Sequence, residues 1–212
     1  MIQLLFLVLL FSTQYAFAEN NQYQNKIEQF ITTANKDNNF NGTVLVAKHG
    51  DILFHKSYGY ADKHKKEPLT KEHRLSPGSI AKEFTTAVIM QLKMNGKLRY
   101  EDKISQYLTF LPEWANDISI ENILTHTSGM PKVKWHANIT TTDIIKQIGE
   151  IKTLEFKPNQ DYLYTNLNVV LRALIVESII RSPFKSHLKN TLFVPADMTS
   201  TFNKTAISPN TK

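Results

Sequence analysis

The stretch between Ser79 and Asn95 is the part of this 212-residue chain that most restricts its fold. Almost every position in it is apolar or small, and its large apolar residues include Ile80, Phe84, Val88, Ile89 and Leu92. Gly96 follows at the place where a left-handed residue commonly ends a helix. The pattern predicts a helix buried nearly all round, which requires other elements packed around it. We therefore expect the chain to build a sizeable core.

The composition excludes several classes of protein. Hydrophobic residues at 42%, aromatic residues at 10% and charged residues at 21% rule out a disordered, collagenous or coiled-coil chain. The absence of cysteine excludes a disulfide scaffold, a cysteine nucleophile and a thiolate zinc site. The seven histidines show no metal-ligand spacing. We expect neither a metal nor an organic cofactor.

The chain is basic. Lysine and arginine number 25 and aspartate and glutamate 19, which gives a formal net charge of +6. This balance suits an acidic surface or an anionic polymer such as cell wall. The basic residues are scattered rather than arranged in a stripe, so we expect no nucleic-acid partner.

The first 18 residues have the pattern of a cleaved signal peptide. An uninterrupted apolar run, Leu4–Phe11, is too short to span a bilayer, and Ala16 and Ala18 supply the small residues that signal peptidase accepts. We expect a secreted or periplasmic protein that begins near Glu19 and is not inserted in the membrane after cleavage. No Lys or Arg precedes the apolar run, which leaves a retained membrane anchor as the alternative.

The remaining chain alternates between helix and strand patterns. Apolar residues at helical spacing predict an amphipathic helix over Asn20–Asn35. Strands are expected at Gly42–Lys48 and Ile52–Tyr58, joined by a turn at His49, Gly50 and Asp51. Further helices are expected at Glu101–Leu108, Ile120–Thr127 (with Ser119 as cap and Gly129 as stop), Thr142–Ile148 and Asn166–Ile180.

Ser79 and Lys82, at the start of the apolar helix, are candidates for nucleophilic chemistry. Residues three apart share a helix face, so the serine hydroxyl and the lysine amine come within hydrogen-bond reach. A charged lysine in apolar surroundings is costly, and a neutral amine can take the proton of a serine nucleophile. Backbone N–H groups at the helix start favour a developing negative charge. The alternative is that Ser79 caps the helix while Lys82 extends to water.

Tyr164 and Asn166 place a phenol and a carboxamide where another helix begins. Each also has an ordinary interpretation, as a core aromatic and as a helix cap. The segment Ile123–Pro131 is much less generic, because it contains the string Leu-Thr-His-Thr-Ser-Gly.

These three segments, in this order, resemble the serine beta-lactamase and penicillin-binding protein superfamily, in particular its class C beta-lactamase and D-alanyl-D-alanine carboxypeptidase-like branch. Ser-x-x-Lys is a signature of penicillin-recognising enzymes. The resemblance extends from Phe40 to Thr201 and includes the hairpin followed by Gly59. In the segment Leu192–Met198, Ala196 and Asp197 depart from the family's pattern.

The resemblance implies an α/β plus all-α fold, a beta-lactamase/transpeptidase-like antiparallel sheet flanked by helices, with a helical domain. Residues 19–62 would supply the N-terminal helix and hairpin, and residues 75–212 the mainly helical part. The family's third motif, Lys or His followed by Thr or Ser and Gly, has no counterpart, since no glycine follows Gly149. We therefore expect a partial domain without the C-terminal strands and helix, from either a longer product or a truncated, impaired copy.

The resemblance also implies residue roles. Ser79 would be the acylated nucleophile, Lys82 its proton partner and Tyr164 the general base or proton relay. Asn166 would bind the substrate amide, and the Ser79 backbone N–H would form half of an oxyanion hole. His126 is expected to be a structural hydrogen-bonding residue.

The predicted function is that of an exported serine hydrolase that acts through an acyl-enzyme. The substrate would be a beta-lactam, a D-Ala-D-Ala-type peptide derived from peptidoglycan, or an ester, and the protein a monomer. The alternatives are a non-catalytic truncated homologue that binds cell-wall peptide, and a membrane-anchored fragment with no function of its own.

Overall fold

The computed structural model describes residues 22–34, 40–136 and 139–203. The predicted signal peptide lies outside these residues. The chain divides into two compact units, one extending to Leu75 and the other beginning at Ser76.

The first unit contains a helix and a hairpin. Helix α1 covers residues 22–34, within the predicted range, whose two ends lie outside the described residues. Strands β1 (Gly42–Lys48) and β2 (Asp51–Tyr58) pair antiparallel, with Gly42 opposite Tyr58. The predicted hairpin is confirmed, but its loop has two residues rather than three. His49 and Gly50 both have positive φ, 54° and 92°, as a two-residue type I′ turn requires.

The second unit is helical. Its helices are α2 (Lys82–Met94), α3 (Ile120–Thr125), α4 (Thr141–Glu150), α5 (Leu167–Ile180) and α6 (Phe184–Leu188), with 3₁₀ turns at Gly78–Ala81, Ile104–Gln106 and Glu113–Asn116 and a π-helical turn at Lys189–Phe193. Helix α5 packs against both α2 and α3. Its residues Leu167, Leu171 and Ile175 are fully buried in the core of this unit. None of the helices within the described residues combines the length and the apolar content needed to cross a membrane.

The prediction that the Ser79–Asn95 helix is buried nearly all round was wrong. The buried residues of α2 are Thr85, Val88, Ile89 and Leu92, which repeat at one-face helical spacing. Ile80 is 70% exposed and Met94 84% exposed. The α-helix also begins at Lys82, because the preceding residues form a 3₁₀ turn.

The predicted helix at Glu101–Leu108 was also wrong, since only Ile104–Gln106 form a 3₁₀ turn. The backbone of this segment bonds to a neighbouring segment instead. The Ile104 N–H donates to the Ile118 carbonyl, and the Asp102 carbonyl accepts from the Ile120 N–H, both at 3.0 Å. These tertiary hydrogen bonds replace the helical ones.

Candidate active site

Three of the predicted site residues meet at one point of the second unit. The Ser79 Oγ lies 3.0 Å from the Lys82 amine and 3.1 Å from the Tyr164 hydroxyl, and it accepts a hydrogen bond from each. The Lys82 Nζ also lies 5.2 Å from the centre of the Tyr164 ring. An exposed hydroxyl thus has two candidate proton partners.

The local backbone explains why Ser79 is free for this role. Ser79 lies inside the 3₁₀ turn Gly78–Ala81, and neither this turn nor α2 has a side-chain cap. Lys82 is the first residue of α2, half-buried, with its amine on Ser79. The structure therefore does not support the alternative in which Ser79 caps the helix and Lys82 extends to water.

Hydrogen bonds made by the two residues that flank it in the chain hold Tyr164 in place. The Leu163 N–H donates to the His126 carbonyl at 3.0 Å, and the Thr165 N–H donates to His126 Nδ1 at 3.3 Å. The imidazole stacks on the Tyr164 ring, with centroids 4.7 Å apart and planes inclined by 31°. His126 therefore fixes both the backbone and the ring of Tyr164.

A buried polar cluster supports His126. Asn168 Nδ2 lies 3.0 Å from His126 Nδ1, and Ser128 Oγ donates to Asn168 Oδ1 at 2.7 Å. Ser128 and Asn168 are fully buried. Because Nδ1 accepts the Thr165 N–H, the neutral imidazole carries its proton on Nε2. The expectation that His126 is a structural hydrogen-bonding residue matches this geometry.

Two groups of the site have displaced pKa values. The pKa of the Tyr164 phenol lies below its ordinary value of 10.0, first because of the Lys82 amine and then because of the Ser79 hydroxyl. Burial lowers the pKa of His126 below 6.5, and the positive charges of Arg172 and Lys82 lower it further. Both shifts favour the unprotonated forms.

Asn166 lies beside this cluster. It is the residue before α5, but its carboxamide does not cap the helix and makes no hydrogen bond with the described residues. A cavity of about 220 Å³ adjoins it, lined by Lys132, Val133, Trp135, Tyr164, Thr165 and Asn166. The carboxamide is available to a ligand there.

Sequence reasoning missed Asn168, Thr165 and Arg172. Asn168 and Arg172 stand four residues apart in the first ten residues of α5, which are otherwise apolar, and share one face of the helix. That spacing is the signal that could have identified them. Within the described ranges, no three His, Asp or Glu side chains are grouped in a way that could hold a metal ion.

Comparisons with known proteins identify the family. The beta-lactamase family model matches residues 27–210. A penicillin-binding protein of Bacillus subtilis (strain 168) is 34% identical over 190 residues, which are 84% of this chain and 42% of that protein. A putative penicillin-binding protein of the same strain, PbpX, is 36% identical over 176 residues, 81% of this chain and 43% of that protein. The chain therefore spans less than half the length of these relatives.

The solved structures agree on the fold. A class C beta-lactamase superimposes with a TM-score of 0.78 at 21% identity, covering 89% of this chain and 53% of that enzyme. The predicted beta-lactamase/transpeptidase-like fold is thereby confirmed over the part of it that this chain spans. The family match and the two relatives show that the chain belongs to the beta-lactamase family of serine hydrolases, which includes the penicillin-binding proteins.

Proposed function

We propose that this protein is a serine hydrolase that opens an amide or ester bond through an acyl-enzyme on Ser79. One observation carries the proposal: the Ser79 Oγ lies within 3.1 Å of both a lysine amine and a tyrosine hydroxyl. A serine hydroxyl becomes a useful nucleophile only when a neighbouring group takes its proton.

The cluster offers a balanced route for acylation. As the Ser79 Oγ bonds to the substrate carbonyl carbon, its proton passes to the Tyr164 oxygen or the Lys82 nitrogen. The carbonyl π bond reforms as the C–N or C–O bond breaks, and the leaving group takes up that proton. Water then attacks the Ser79 ester by the same proton path, and the acid product leaves.

The lowered pKa of Tyr164 supports a phenolate as the proton acceptor. As a phenolate, the oxygen 3.1 Å from the Ser79 Oγ accepts the serine proton rather than donating its own. The Ser79 backbone N–H lies in the first turn of a helical segment, where N–H groups lack intrahelical acceptors. We assign to it one of the hydrogen bonds to the oxyanion.

Asn166 and the adjoining cavity are the proposed binding site for the substrate amide. A carboxamide offers both a donor and an acceptor, which match the two polar atoms of a peptide or beta-lactam amide. The names of the relatives point to a beta-lactam, since one is a penicillin-binding protein and the other a putative penicillin-binding protein. The proposed substrates are therefore a beta-lactam, a D-Ala-D-Ala-type peptide from peptidoglycan, or a simple ester.

We also propose that the protein is exported. The support is the signal-peptide pattern of residues 1–18. N-terminal sequencing of the protein recovered outside the cytoplasm tests this, and a start at Glu19 is expected. An N-terminus at Met1 in that fraction would contradict cleavage.

Time-resolved intact-mass spectrometry tests the acyl-enzyme. We expect the full chain, incubated with a fluorescent penicillin or a fluorophosphonate, to gain the mass of one acyl or phosphonyl group, and the Ser79→Ala variant to gain none. Nitrocefin, a D-Ala-D-Ala peptide and a nitrophenyl ester compare the substrate classes. A protein that binds the penicillin reversibly without a mass gain from either probe would contradict the proposal and support a non-catalytic binder.

A further inference from the structure

Arg172 is a charged residue buried inside the second unit. It lies in α5 and is 2% exposed. Its Nε donates to the Asn168 carbonyl at 3.3 Å and its Nη1 to the Thr86 Oγ1 at 2.8 Å, and both acceptors are neutral. None of the ion pairs formed among residues 22–34, 40–136 and 139–203 includes Arg172.

Packing and stability do not explain this charge. Burying an ion without a counter-charge costs free energy, and even buried ion pairs can often be replaced by apolar residues of similar volume without loss of stability. Burial accordingly lowers the pKa of Arg172 below its ordinary value, while Glu83 and Tyr164 act against this shift. A guanidinium nevertheless stays protonated at neutral pH. The fold thus maintains a permanent positive charge that an apolar side chain would avoid.

Two short chains of contacts connect this charge to the candidate active site. The Thr86 hydroxyl that accepts from Arg172 also donates to the Lys82 carbonyl at 3.4 Å. Asn168, whose carbonyl accepts from Arg172, contacts the His126 imidazole that stacks on Tyr164. The guanidinium is therefore connected to the Lys82 backbone through one residue and to the Tyr164 ring through two.

We propose that Arg172 is a positioning residue of the active site, a buried fixed charge that favours the phenolate form of Tyr164, its proton-accepting form. A nearby positive charge favours a phenolate over a neutral phenol, so Arg172 and Lys82 act in the same direction on Tyr164. The role of Arg172 in catalysis rests on the proposed function, but its electrostatic effect on Tyr164 does not.

Other charged groups act on the same cluster. Lys82 and Glu83 extend from α2, and His126 from the turn after α3. Glu83 is exposed to solvent, where screening weakens its opposing charge. His126 is neutral above its lowered pKa. At neutral pH the positive charges that act on Tyr164 are therefore those of Arg172 and Lys82.

Titration of Tyr164 by NMR tests the proposal without any substrate. The full chain is labelled with [13Cζ]tyrosine, and the Tyr164→Phe variant assigns the resonance. Arg172→Met removes the charge and keeps an apolar stem of similar length. We expect it to raise the Tyr164 titration midpoint above that of the native chain and of the control, whereas Arg172→Lys leaves the midpoint at the native value. The matched control is Lys185→Met, which removes one exposed positive charge from α6.

Three results would overturn the proposal. The first is an Arg172→Met midpoint equal to that of Lys185→Met. The second is an Arg172→Lys midpoint that moves as far as that of Arg172→Met, because packing and not charge would then be responsible. The third is loss of cooperative unfolding in Arg172→Met, which would make the arginine a structural requirement. A shifted midpoint in a chain that forms no Ser79 adduct would refute the proposed function and leave the electrostatic effect in place.

Discussion

The proposed chemistry depends on the hydroxyl of Ser79, whose reactivity is set by whether the Lys82 and Tyr164 side chains carry their protons. With a protonated amine and a neutral phenol, Ser79 Oγ only accepts hydrogen bonds and keeps its own proton. With one of the two partners unprotonated, that proton has an acceptor about 3 Å away. The lowered pKa of Tyr164 shifts the cluster toward the second state.

Replacing Lys82 by arginine tests whether this side chain must be able to lose its own proton in order to accept that of Ser79. A guanidinium keeps the positive charge but cannot release a proton in the accessible pH range. We expect Lys82→Arg to slow acylation of Ser79 by about 10²- to 10⁴-fold, the usual contribution of general acid–base catalysis. Stopped-flow or quenched labelling with a fluorescent penicillin measures this rate. Lys97→Arg, at an exposed position after the same helix, is the control and should react normally. Equal acylation rates in the two variants would leave Lys82 with a purely electrostatic role.

His126 makes the stability of the fold depend on pH. Its pKa is lowered in the folded state, so the unfolded chain binds a proton near pH 6.5 that the folded chain resists. The stabilising contribution is complete above pH 6.5 and is lost as the pH falls through the lower folded value. We expect the free energy of unfolding, measured with urea, to fall between pH 7.5 and pH 5 more steeply in the native chain than in His126→Gln.

Glutamine is the informative replacement because its side-chain oxygen can accept the Thr165 N–H without titrating. His55→Gln is the control, at an exposed position on β2, and should keep the native slope. A native slope in His126→Gln as well would mean that other groups govern the acid sensitivity.

At the level of single residues, the short motifs identified candidate site residues that the pattern of apolar residues could not identify. The spacing of Ser79 and Lys82 has a chemical meaning that needs no structure. Tyr164 and Asn166 became candidates through the order of motifs that resembles a family. The hydrogen-bond acceptors of Arg172 could not be identified, because they lie 4 and 86 positions away and one of them is a main-chain carbonyl. A polar residue in an apolar helix shows that a partner is needed, but it does not name the partner.

The turn that follows α3 is the element on which the position of Tyr164 depends. The sequence predicted that Ser119 caps this helix and that Gly129 stops it. Ser119 does form a capping box with Asn122, but the helix ends at Thr125, because the next residue, His126, has a left-handed φ of 60°. Gly129 instead allows two backbone segments to approach closely, since its φ is +74° and a Cβ atom there would lie 2.1 Å from the Phe156 carbonyl oxygen.

Alanine at Gly129 should therefore be strongly destabilising. The positive φ and the steric clash with a backbone oxygen together are expected to cost at least about 2 kcal/mol of unfolding free energy. Urea denaturation measures the loss. Gly149→Ala is the matched control, because this helical glycine has nothing within 4 Å of its Cβ position. It should gain about 0.5–1 kcal/mol. Similar changes in the two variants would contradict the close approach of Gly129 to Phe156.

The elements were predicted well where local pattern decides and poorly where tertiary contacts decide. The hairpin strands and α5 follow directly from their apolar runs, and each boundary is within one residue. The burial of α2 was overestimated because an apolar run does not reveal how many neighbours surround it. The helix expected at Glu101–Leu108 was displaced by backbone bonds to residues 118–121, which no local propensity contains.

At the scale of the whole molecule, every residue of the proposed site comes from one compact unit. Ser79, Lys82, Tyr164 and Asn166 all follow Ser76, where the second unit begins. The fold could be predicted because three motifs occur in a family-specific order, and the family match over residues 27–210 confirms it. The substrate could not, because the chain spans 42% and 43% of its two relatives from Bacillus subtilis.

The central claim is that Ser79, and no other serine, becomes acylated. Two other serines are close in sequence to the motifs: Ser76, whose hydroxyl accepts a long hydrogen bond from the Gly78 N–H, and Ser128, which is fully buried. Neither hydroxyl has a hydrogen bond with a lysine or tyrosine side chain in the described part of the chain.

Tandem mass spectrometry of the peptides from fluorophosphonate-labelled protein locates the adduct most directly. We expect a single modified residue, Ser79, with labelling abolished in Ser79→Ala and unchanged in Ser76→Ala. An adduct on Ser76 or Ser128, or labelling that persists in Ser79→Ala, would contradict the account.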